Sequence, residues 1–124
     1  MVQTDLSQLT AECSEWRQIL RNYKEEFTTA KESLLEIISK TLSKNDLAEV
    51  EHFDNQFHIQ LINIHDLKQL IKLHERKMAL ESSGEITDEV FSRHEMLLDR
   101  FLSLENTFQE LRNDFKNFIS RISC

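Results

Sequence analysis

The sequence predicts an all-α fold, an up-down-up antiparallel three-helix bundle of long coiled-coil-like helices at about 5–42, 45–82 and 87–123. Three observations lead there. Apolar residues return at alternating steps of three and four along three separate segments, which is the seam of a packed helix. The chain has no proline and a single glycine, Gly84, so it lacks the residues from which tight hairpins are built. Its 124 residues suit one domain, 1–124, whose core needs no disulfide or metal.

In the first segment Leu6, Cys13, Leu20, Phe27 and Leu34 hold one core position, and Leu9, Trp16, Tyr23, Ala30 and Ile37 the other. Thr4 or Asp5 can cap its start. Carrying this seam past Thr41 puts Ala48 and Asn55 in the core, yet the next seam runs through Val50 and Phe57, two residues out of phase. Stutters and stammers shift a seam by four or three, so a turn fits better than one continuous helix. Ser43 with Asp46 reads as a capping box there, and Leu42 with Leu47 as a hydrophobic staple.

The second seam is Val50, Phe53, Phe57, Ile64, Leu67, Ile71 and Met78, interrupted by Gln60 and His74 where hydrocarbon is expected. Ser82, Ser83 and Gly84 supply its stop. The third runs from Val90 through His94, Leu97, Phe101, Leu104, Phe108, Leu111, Phe115 and Phe118 to Ile122. Thr87 can be its N-cap, Asp88 and Glu89 suit the positive end of the dipole, and Ile86 can staple onto Phe91. Three long helices with a tryptophan in the first, at Trp16, form an architecture similar to that of spectrin-type repeats. That similarity carries no functional residues with it.

A formal net charge of -7 with 30% charged residues describes an acidic surface. Phosphate backbones call for a clustered basic face, so nucleic acid is not an expected partner. No apolar run approaches the roughly 20 residues that cross a bilayer, so no membrane partner is expected either. The start, MVQTDLSQ, has neither the basic nor the apolar region of a signal peptide, and a cytoplasmic location is expected. Cys13 and Cys124 fall at opposite ends of the first and third helices, too far apart for an internal disulfide.

His74 and His94 stand equally far from Gly84, both at seam positions, so they should share a layer. Folding the first turn near Lys44 brings Cys13 and Trp16 to the same level. The favoured reading is a polar core layer that fixes register, with the imidazoles bonded to each other or to a carboxylate and Trp16 stacked alongside. The alternative is a metal site of His74, His94 and Cys13 holding zinc or iron, since such ions take nitrogen and thiolate donors. Glu49 and His52 have the Glu-x-x-His spacing of di-iron bundles, but they fall off the seam and no second such pair exists. His58 and His65, one heptad apart, read as exposed flank residues.

With no nucleophile motif and no glycine-rich loop, the chain reads as non-enzymatic and without a cofactor. Ile59 and Ile62, with Leu73 and Leu102, lie off the seams and suggest an interaction face. The expected function is therefore self-association, most simply as a homodimer, or adaptor binding to another helical protein. Metal binding through the buried His/His/Cys layer is the alternative.

Overall fold

The computed structural model describes residues 6–40, 42–81 and 86–122. Among them are three helices, α1 (Leu6–Ile38), α2 (Lys44–Ala79) and α3 (Asp88–Ile122), and no strand. Cross-helix contacts define their directions. Arg17 pairs with Glu75 and Lys31 with Asp54, so α1 and α2 are antiparallel. His74 meets His94 and Asp46 meets Arg121, so α2 and α3 are antiparallel as well. Glu12 reaches His94 and Glu26 reaches Arg112, which makes α1 and α3 parallel. No helix among the described residues is long and apolar enough to cross a membrane.

The helix starts follow their caps. Ser43 is extended (φ -70, ψ 165) and its side chain accepts from the Asp46 backbone N–H at 3.1 Å. Thr87 Oγ1 accepts from the Val90 N–H at 3.1 Å. Each bond satisfies a donor that the first helical turn leaves open. The expected staples are incomplete: Leu42 and Ile86 pack on the core, while Leu47 and Phe91 stay half exposed.

Two helices end earlier than expected. After Ile38, the Ser39 and Lys40 N–H groups bond to the Glu36 and Ile37 carbonyls at 3.2 and 3.0 Å, and the Ser39 hydroxyl donates to Glu36 at 2.6 Å. These three-residue bonds tighten the last turn and use the carbonyls that a continuing α-helix needs. After Ala79, Leu80 and Glu81 bond in the same way to Lys77 and Met78. The caps expected at Thr4 or Asp5, the stop at Ser82, Ser83 and Gly84, and Cys124 lie outside the described residues.

The three seams are the core, and its two halves differ. Toward the α1–α2 turn it is aromatic: Phe57 lies 5.5 Å from Phe27 and 5.0 Å from Phe115 between ring centroids, and Phe27 lies 5.1 Å from Phe108. Such edge-to-face and tilted pairs contribute about 0.5–1.5 kcal/mol each beyond the area they bury. A groove of about 570 Å³ opens between α1 and α3 here, where Ala30 occupies a seam position and leaves Phe27, Phe57 and Phe115 at its floor. Toward the α2–α3 turn the core is polar at one level, that of His74 and His94, far from this groove.

Candidate metal centre

Each helix supplies one member of a buried cluster. Cys13 on α1, His74 on α2 and His94 on α3 are 0%, 0% and 3% exposed, and their ligating atoms all lie within 4.8 Å of one another. They meet because each replaces an aliphatic residue in its own seam, at the same height in the bundle. One turn away on either side the seams return to apolar side chains, with Leu9, Met78 and Val90 toward one end and Ile71 and Leu97 toward the other, all buried.

Glu12 orients the cluster. Its Oε2 lies 2.6 Å from His94 Nε2, and an ionised carboxylate only accepts, so Nε2 carries the proton. In the neutral ring, Nδ1 of His94 is then a lone pair facing inward. His74 Nε2 lies 3.1 Å from it and donates to it, and Cys13 Sγ stands 4.0 Å away. At the end of this proton chain, His74 Nδ1 is buried with no hydrogen-bond partner. A buried acceptor in that state costs about 1–3 kcal/mol. The Trp16 ring covers His94 at 4.7 Å between centroids, tilted by 31°.

Burial favours the uncharged forms of Cys13 and His74. Burial pushes the Cys13 thiol up to about 12, helped by the negative Glu75 and Glu12 and opposed by Arg17. The metal-free cysteine is therefore a neutral thiol. Burial lowers His74 to about 4, with repulsion from His94, Arg93 and Lys77 adding to it. Glu75 itself is held by Arg17, Nε to Oε1 at 2.6 Å and Nη2 to Oε2 at 3.2 Å.

The ligand geometry suits a transition metal. Metal–nitrogen bonds of about 2.0–2.1 Å and metal–sulfur bonds of about 2.3 Å set tetrahedral donor atoms roughly 3.3–3.6 Å apart. The nitrogen pair at 3.1 Å and the sulfur–nitrogen pair at 4.0 Å lie on either side of that range. The carboxylate–histidine pair is the arrangement by which proteins fix the tautomer of a metal-ligating imidazole and raise its basicity.

The expectation of a non-enzymatic chain is corrected by this finding. A thiol and two imidazoles converge in the interior with a carboxylate at their edge, a set able to hold a metal or relay a proton. No local motif marks it, because its members lie at positions 12, 13, 74 and 94. The shared layer of His74, His94 and Cys13, with Trp16 alongside, is where the seams put it. Glu12 was not foreseen; it adjoins Cys13 on the flank of α1 facing α3. Glu49, His52, His58 and His65 are exposed, apart from the cluster. Ile59, Ile62, Leu73 and Leu102 are exposed too, at 45%, 47%, 47% and 51%. Comparison with family models, with curated proteins and with solved structures finds no match for the chain.

Proposed function

We propose that the chain is a metal-binding helical bundle, its three seams wound in coiled-coil-like fashion, in which Cys13, His74 and His94 hold one transition-metal ion. The observation that carries this reading is the 2.6 Å contact from His94 Nε2 to Glu12, which in the neutral ring leaves Nδ1 unprotonated and facing the other two donors. A polar layer needs only mutual hydrogen bonds, and this one leaves an orphaned nitrogen. Binding replaces the thiol proton by the ion, so affinity rises with pH. Because the donors come from three helices, the ion ties the bundle together and stabilises it by about 2.7 kcal/mol at a hundred times its dissociation constant.

Elemental analysis of the purified chain, with thermal unfolding under added zinc(II), tests the reading. The native chain is expected to carry close to one metal per molecule and to melt higher with zinc, and His74→Ala to lose both while keeping its helical circular dichroism. Equal metal content in the two proteins, or an unmoved melting point, would leave the layer as a hydrogen-bonded polar core alone.

A second reading is favoured by the exposed pair Ile59 and Ile62, accompanied by Leu73 and Leu102. Apolar surface left in water forgoes about 25 cal/mol per Å², which a two-fold dimer through this face would recover. Light scattering is expected to give twice the chain mass, falling to one on Ile62→Asp. A native monomer at all concentrations would remove this reading and leave the metal reading intact.

A further inference from the structure

Building on that metal-binding reading, we infer that the ion this site is shaped for is copper(I), held by Cys13 Sγ, His94 Nδ1 and a nitrogen of His74, with the Met78 thioether in the adjoining layer.

The number of donors is the first argument. Among the described residues the cluster of possible ligands has three members. The two nearby carboxylates are both committed elsewhere, Glu12 to the far edge of His94 and Glu75 to Arg17. Zinc closes a structural site with four protein ligands, or leaves its fourth position to water. Here that position would fall among wholly buried side chains, with Leu9, Met78 and Val90 on one side and Ile71 and Leu97 on the other. Copper(I) is satisfied by three donors. Planar three-coordination also spreads its donors wider than one face of a tetrahedron, in keeping with the 4.0 Å sulfur–nitrogen edge, while the 3.1 Å nitrogen pair must open as the ion enters.

Charge is the second. A monovalent ion and one thiolate cancel within the layer, whereas a divalent ion leaves a positive charge there. Uncompensated charge is costly in a buried site. The carboxylate that could answer it, Glu12, has a side chain 40% exposed and lies beyond His94.

Softness is the third. Thiolate and thioether donors favour copper(I), and a His₂Cys triangle with a weak sulfur donor off its plane is a copper arrangement. Met78 follows His74 by one helical turn on the same buried face and is 3% exposed. Binding involves no redox change: the Cys13 S–H bond breaks, its proton leaves to solvent, and a sulfur–copper bond forms; where His74 binds through Nε2, the proton on that nitrogen moves to Nδ1.

The test is an anaerobic titration of the metal-free full chain with copper(I) against bicinchoninate, and with zinc(II) against a chromophoric chelator. One copper(I) per chain is expected, bound at least about a thousandfold more tightly than zinc(II). X-ray absorption should give three-coordinate copper with a sulfur and two nitrogen neighbours, and Trp16 emission should fall in step with occupancy. Cys124→Ser should change nothing, Cys13→Ala should abolish binding, and Met78→Leu should weaken copper(I) about tenfold while sparing zinc. Should Cys13→Ala fail to fold, the sulfur neighbour seen in the Cys124→Ser protein still tests the assignment. Zinc bound as tightly as copper(I), or four-coordinate copper, overturns the copper assignment and leaves a metal site standing. Binding of neither ion at millimolar concentration overturns both.

Discussion

Phe57→Ala is expected to lower the unfolding free energy by about 3–5 kcal/mol, the range for truncating a buried phenylalanine. Phe57 is 1% exposed and its ring contacts Phe27, Phe53 and Phe115 at 5.5, 6.1 and 5.0 Å between centroids. Removing it deletes three aromatic contacts at once and extends the 570 Å³ groove, whose floor it forms, into the middle of the bundle. The helices are tied together above and below, so the space cannot simply close. Set against a typical total of about 5–15 kcal/mol, this is a large fraction of the fold's stability. Urea unfolding followed by circular dichroism measures it. Phe91→Ala, at a half-exposed site, is the control and should change little. A Phe57→Ala loss near 1 kcal/mol would mean that the aromatic half of the core is not packed as described.

The second large effect is acid destabilisation of the metal-free protein through His74. Its folded value of about 4 lies below the ordinary 6.5, chiefly through burial and then through His94, Arg93 and Lys77. Between these values the unfolded chain holds a proton that the folded chain excludes. Stability is therefore undiminished above about pH 6.5, falls as pH drops toward 4 and levels off below it. At about 1.4 kcal/mol per unit, the full difference is on the order of 3 kcal/mol. Cys13 on α1 also lies beside the ring; the carboxylates Glu12 and Glu75 act on Cys13, and Glu12 is bonded to His94. Asp46, held below the carboxylate range by Arg121 and the Ser43 cap, acts only at still lower pH. His74→Leu should flatten the profile between pH 4 and 6.5. A slope of the same size in that variant would assign the acid sensitivity to another group.

Periodicity carried most of the architecture. A seam that alternates three and four specifies which residues face inward, and two seams joined by a short turn specify which of them share a level. His74 and His94 could therefore be paired across the turn from their positions alone. What periodicity does not encode is the rotation of neighbouring helices about their axes, on which flank contacts depend. Glu12 reaching His94 and Arg17 reaching Glu75 are contacts of that kind. The early ends of α1 and α2 were hidden for another reason: neither is set by glycine or proline, but by carbonyls captured three residues on. The expectation of a non-enzymatic chain failed because it rested on motifs close in sequence, whereas a bundle gathers its titratable groups from three distant helices.

Drawing one donor from each helix also bears on the order of events during folding. Cys13 is separated from His74 by most of two helices, while His74 and His94 belong to one hairpin. The α2–α3 hairpin can therefore bring its two imidazoles together early, by closing a short loop. The thiol joins only when α1 docks along its whole length, a contact of much greater sequence separation. Nascent chains lacking a docked α1 would offer two nitrogens, so on the proposed metal reading tight capture of an ion would report completion of the last step of assembly.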